Sequence, residues 1–332
     1  MKEWKKQVLK WGIVILLLGL ILYTFRDMTG PILEQLKKTK AWIILAICVS
    51  STLYELLEGW VTYGLAREYQ PAFTYRKGVE SAFYCSFYRT ATLGSGAGVA
   101  AVYYFNENGI AASKATGMYM VEYVLHKLSI AIFSVIFLVI SFSYMMKHFG
   151  EYSLLLIGGY GVTIIIAVVL VAVCCSVRLH KGLLYIMEKL NRSHKFDKQL
   201  EKVKEQFAIL EEATAFLLKR KALLLWTVCK NIVKLAFWYG IPFFVFYGTC
   251  EITLLQTLAV TALSMMLAAV IPAPAGIGST EFIFTMLFAS IAGTQTAGAA
   301  SILYRFATFV FPFLVGAVIV VAQRVRVSKN RA

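Results

Sequence analysis

Glu55 and Glu58 lie one helical turn apart inside an apolar run, and Glu122 and His126 repeat that spacing inside another. Arg89 precedes a glycine-rich string, Lys230 and Lys234 share one face of a third run, and Arg305 stands within the last. An ionised group is costly in an apolar medium, so such residues turn toward a protein interior or an aqueous path. Carboxylates beside an imidazole can exchange protons. Arg can clamp a phosphate through two parallel hydrogen bonds, and Lys can hold one as a compact charge. Glu55, Glu58, Glu122 and His126 are therefore candidate proton-exchanging or ion-pairing groups. Arg89, Lys230, Lys234 and Arg305 are candidate phosphate ligands. The bland alternative for each is a fixed structural ion pair.

A second kind of chemistry sits at two breaks in the apolar pattern. The first is Gly94-Ser95-Gly96-Ala97-Gly98, and the second is Pro272-Ala273-Pro274-Ala275-Gly276-Ile277-Gly278 followed by Ser279-Thr280-Glu281. A helix that starts after the second break exposes backbone N–H groups, and a helix N-terminus attracts anions. Ser279 or Thr280 is the expected cap. Gly276 and Gly278 let the backbone approach a ligand closely. Glu281 repels a phosphate but can pair with an arginine, bind a cationic headgroup or exchange a proton.

The elements that position these residues are membrane spans. The chain has 332 residues, of which 59% are hydrophobic and 15% charged. Soluble domains carry about 25% charged residues, and several apolar runs here exceed the roughly 20 residues needed to cross a bilayer. The net charge of +15 then marks cytoplasmic loops rather than nucleic-acid binding. The six cysteines are scattered, without a CxxC pair, so neither a metal nor a cofactor is expected.

Spans are expected at Trp11–Phe25, Ala41–Leu65, Gly117–Phe142, Tyr152–Cys175, Ala222–Tyr247 and Ala297–Val321. The basic leader before Trp11 and the basic residues after Val321 place both termini in the cytoplasm. Val177–Lys221 is polar and more basic than acidic, so this connection also belongs inside. Within it, Asp197–Leu218 carries Leu200, Val203, Phe207, Leu210, Ala213 and Leu217 on one helical stripe. Orientation parity then points to Ser81–Phe105 returning to its starting side, as a re-entrant hairpin broken at the glycines; the alternative is a complete crossing with one other span misread. Leu254–Ile271 and Phe282–Ile291 flank the second break and form either a second hairpin or two crossings. The fold class expected is a single all-α polytopic bundle over 1–332, with opposed hairpins that would make inverted repeats.

The second break resembles the proline/glycine/glutamate signature of the lysylphosphatidylglycerol synthase transmembrane region, the flippase-like membrane part of bacterial multiple-peptide-resistance proteins. Gly94–Gly98 resembles that family's first glycine-rich region, although it lacks a proline. The resemblance implies movement of a phospholipid or lipid-linked substrate across a bacterial cytoplasmic membrane, with Gly276, Gly278 and Glu281 as motif-bearing positions. Full-length relatives add an aminoacyltransferase domain. This chain reaches Ala332 just after its last expected span, so it reads as the translocator alone, with a separate lipid-modifying enzyme as an expected partner. Two other classes compete. A structural or assembly membrane protein needs none of this chemistry. An intramembrane enzyme would use Ser95 and His126, but Leu93 stands where a Gly-x-Ser-Gly order requires glycine, and no oxyanion donors are evident.

Overall fold

The structure is a computed structural model describing residues 30–191, 196–271 and 273–329. The expected span Trp11–Phe25 lies outside the described residues, as does Pro272. Every regular element among the described residues is helical, so the all-α expectation holds. In chain order the helices are α1 Ala41–Tyr69, α2 Tyr75–Ala91, α3 Ala97–Glu107, α4 Ala112–Ile140, α5 Phe142–Phe149, α6 Ser153–Cys175 and α7 Val177–Leu190. They continue as α8 Asp197–Leu218, α9 Lys221–Tyr239, α10 Ile241–Phe246, α11 Leu254–Val270, α12 Ser279–Ala292, α13 Thr294–Arg305 and α14 Phe311–Lys329. Six stretches among the described residues are long and apolar enough to cross a bilayer: 41–69, 112–140, 156–175, 221–246, 274–292 and 294–323. This is a multi-pass membrane protein. Large apolar side chains on α6 such as Leu154, Ile157, Ile165 and Val168 are exposed, as lipid-facing positions are.

Local chemistry sets the element ends. Thr253 and Gln256 form a reciprocal capping box at the start of α11, which satisfies two otherwise orphaned donors. The Ser176 hydroxyl caps α7 by accepting from Leu179 N–H at 3.3 Å. The polar connection thus holds a helix of its own, α7, ahead of the expected Asp197–Leu218 helix. Between α13 and α14 a π-helical turn covers Phe306–Val310. It leads into Pro312, which has no N–H to bond the Thr308 carbonyl, so the regular ladder breaks there.

The chain forms two compact units that interleave in sequence. Unit 1 comprises 1–55, 82–100 and 237–332. Its α12 packs against both α11 and α13, around Phe246, Phe284, Phe288 and Tyr304. Phe87 stacks on Phe313 at 5.1 Å. A side chain at Gly316 would drive into the Phe83 carbonyl, so α14 and α2 cross with their backbones nearly touching, a contact that only a small residue permits.

Unit 2 comprises 56–81 and 101–236. Its α4 packs on α6 and α8, and a side-chain carbon at Gly117 would come within 2.5 Å of the Ala213 methyl. The stripe on α8 is inward at Leu210, Ala213 and Leu217, as its spacing predicts. Gly59 on α1 faces Val79 and Gly78 on α2, where an added carbon at Gly59 would lie 2.6 Å from the Val79 backbone. His180 on α7 is fully buried, stacks on Phe207, and bridges Glu211 and the Val173 carbonyl.

Candidate functional site

In unit 1 the two sequence breaks come together. The first separates α2 from α3 at residues 92–96 and the second separates α11 from α12. A side-chain carbon at Gly94 would lie 3.6 Å from the Ala275 nitrogen, so the two breaks approach to van der Waals distance. Both contain backbone that L-residues rarely adopt: Leu93 has φ +52° and Ala275 φ +53°. Such conformations cost roughly 1–3 kcal/mol and persist where surrounding contacts over-determine them. Those contacts are visible. Gly94 N–H donates to the Arg89 carbonyl at 2.7 Å, and Gly96 N–H donates to the Thr92 hydroxyl at 2.6 Å. Thr92 is a capping residue that the glycines overshadow in sequence.

The second break is fastened by Arg305. Its guanidinium is buried, with Nε donating to Glu281 Oε1 at 2.5 Å and Nη2 to the Ala275 carbonyl at 3.3 Å. It also lies 5.0 Å from the centre of the Phe309 ring, within the π turn. Glu281 turns back to accept from Gly278 N–H at 2.7 Å. The cap therefore differs from expectation. Gly278 occupies that position, while the Ser279 hydroxyl donates to the Gly276 carbonyl at 3.3 Å. The Glu281 carboxylate thus occupies the anion-attracting start of α12. Gly276 and Gly278 have φ +68° and +83°. A carbon added at Gly276 would meet the Thr280 hydroxyl at 2.9 Å, whereas among the described residues nothing lies within 4 Å of one at Gly278. The backbone at Gly278 is exposed and open to a ligand.

Arg89 belongs to the same unit but has its own partners. It donates to the Ser86 hydroxyl at 3.1 Å and lies 5.6 Å from the Trp238 ring. Ser86 in turn donates to Glu55 at 2.8 Å.

The remaining sequence candidates gather in unit 2. The Lys234 ammonium is fully buried, is ion-paired with Glu58, and lies 3.3 Å from His126 Nδ1. Glu122, also buried, accepts from the Thr62 hydroxyl at 2.7 Å. Lys230 points elsewhere, lying 4.4 Å from the Trp60 ring centre. The shared-face expectation for the two lysines therefore gives two different environments. Residues that sequence reasoning passed over include Thr62, Ser86 and Asn231. The first had a legible signal: Ser51, Glu55, Glu58 and Thr62 recur at helical spacing along α1.

A family model described as the lysylphosphatidylglycerol synthase TM region matches residues 7–316. The chain belongs to that family. Both breaks, the Arg305–Glu281 pair and the Lys234 cluster all lie inside the matched residues. Membership makes this lysylphosphatidylglycerol synthase TM-region protein a lipid-related membrane protein. A search of curated proteins returned no match.

Proposed function

We propose that this TM-region protein moves a phospholipid or lipid-linked substrate between leaflets, binding the headgroup phosphate at the start of α12. The observation carrying this reading is the buried Arg305, paired with Glu281 beside an open, glycine-bearing helix start. Glu281 acts as a resident anion. An incoming phosphate competes for the Arg305 N–H groups and the Gly278 N–H, then leaves as Glu281 returns. That competition prevents the tight retention that would stop turnover, because a translocator must release what it binds. The acyl tails stay in lipid while the headgroup is sheltered. Gly276 and Ser279 complete the phosphate cradle, and Arg89 is a further contact on the first break. The proposed cradle does not draw on Lys234, which is ion-paired with Glu58, or on Lys230, which lies over Trp60.

We place the protein in a bacterial cytoplasmic membrane with both termini inside, acting on lipid supplied by a separate lipid-modifying enzyme. The test is leaflet exchange of anionic, zwitterionic and aminoacylated lipids in proteoliposomes at matched incorporation. Exchange above empty liposomes is expected, with Arg305→Gln and Gly278→Leu reducing it most for anionic lipid. No exchange with any lipid would refute the reading. Exchange untouched by both substitutions would move the route away from α12.

A further inference from the structure

We infer that the cluster of buried Glu122 and Lys234 with half-buried Glu58 and His126, completed by Asn231, is a proton-binding site that couples leaflet exchange to a pH gradient. The coupling rests on the transport reading above, but the site itself stands on its own geometry.

Three apolar helices each contribute to the cluster: Glu58 and Thr62 from α1, Glu122 and His126 from α4, and Lys234 and Asn231 from α9. The hydrogen bonds fix most protons. An ammonium can only donate, so the Lys234–His126 contact at 3.3 Å makes His126 Nδ1 the acceptor and leaves the ring proton on Nε2. Lys234 also donates to Glu58, forming one ion pair. Glu122 forms no ion pair among the described residues and takes its hydrogen bond from a neutral hydroxyl. Two carboxylates thus stand against one ammonium. One added proton brings the cluster to neutrality, which is the state a membrane interior favours.

The second observation is Asn231. Its side chain is completely buried, and both amide atoms lack a hydrogen-bond partner among the described residues. The Thr227 hydroxyl, one turn earlier on the same helix, is also buried without a partner among the described residues. Buried polar groups without partners are costly, so native structures fill such places with ordered water. Thr227, Asn231 and Lys234 fall at i, i+4 and i+7. They make one line, about 10 Å long, running from the cluster toward Lys221 and the polar connection. Water bonded to Asn231 and Thr227 would carry a proton along this line. The step is simple binding: a proton from solvent adds to a carboxylate oxygen, and no other bond changes.

Of the other charged groups on these helices, Glu55 accepts from Ser86, Lys230 lies over Trp60, Lys127 lies over Tyr123, Arg67 donates to the Tyr63 hydroxyl, Glu68 pairs with Arg220, and Lys114 and Lys221 are exposed.

Infrared difference spectra of the full chain in liposomes, taken between about pH 5 and about pH 9, read protonated carboxyl groups directly. A carboxyl signal that appears at acid pH is expected in the wild type, is lost in Glu122→Gln, and is unchanged in Glu281→Gln. Thr62→Val should shift its frequency, because the hydrogen bond at 2.7 Å is removed. Should Glu122→Gln fail to fold, Thr62→Val and Asn231→Leu carry the test. A wild type without such a signal, or a signal insensitive to all these substitutions, overturns the site. In exchange assays a gradient should shift the wild-type distribution of lipid between leaflets by up to about tenfold per pH unit for one coupled proton, and Glu122→Gln should not respond. An equal response in both overturns the coupling. A correct carboxyl signal without exchange of any lipid supports the site and refutes the transport reading instead.

Discussion

Removing the Arg305 guanidinium is the sharpest perturbation of the second break. Arg305 makes a charge-assisted bond to Glu281, a neutral bond to Ala275 and a ring contact with Phe309. The first is worth about 1.5–3 kcal/mol and the second about 1 kcal/mol. The ring contact adds about 0.5–1 kcal/mol. Losing one partner of a fully buried pair costs about 3–5 kcal/mol, because the other charge is stranded. Glu281 is not fully stranded here: its side chain is 22% exposed, and it keeps the Gly278 N–H. We therefore expect Arg305→Met to cost about 2–4 kcal/mol, on the charged hydrogen-bond scale. Glu281→Gln keeps a neutral acceptor for Gly278 and Arg305, and should cost about 1–2 kcal/mol. Reversible unfolding of the purified protein in mixed micelles, followed by tryptophan fluorescence, gives both values and that of the double variant. The double-mutant cycle should return a coupling of about 1–2 kcal/mol. A coupling below about 0.5 kcal/mol is additivity, and would mean that Arg305 does not fasten the α12 start through Glu281.

Other expectations follow from particular contacts. Gly276→Ala should destabilise by about 1–2 kcal/mol, since it adds left-handed strain to a 2.9 Å approach to Thr280; Gly278→Ala meets open space and should act through strain alone, and thermal unfolding compares the two. Gly59→Leu should separate α1 from α2 and lower folded yield sharply, whereas Gly182→Leu, with nothing within 4 Å, should be tolerated; size-exclusion profiles in detergent decide this. His180→Ala should cost about 2–4 kcal/mol, because it opens a cavity against Phe207 and strips two hydrogen bonds; thermal unfolding measures the loss.

Sequence alone determined that the chain is a bundle of apolar helices, because runs of this length and composition have no other stable place than a bilayer. It also located both breaks, since glycine and proline act on the backbone locally. Asp197–Leu218 was legible to the residue because an amphipathic stripe is a one-dimensional signal. The family signature rested on the same local residues.

Partnerships were different. Lys230 and Lys234 are four residues apart, yet one stacks on Trp60 and the other pairs with Glu58. Nothing in their spacing distinguishes them, because each environment is supplied by α1. Glu281 could have paired with any cation. Only the return of α13, at a sequence separation of 24, put Arg305 against it, and only the π turn before Pro312 set that arginine beside Phe309. The meeting of Gly94 with Ala275 and the unpartnered amide of Asn231 were likewise decided by packing. Helix formation follows from contacts three and four residues apart, whereas the charge balance of a buried cluster depends on helices distant in sequence.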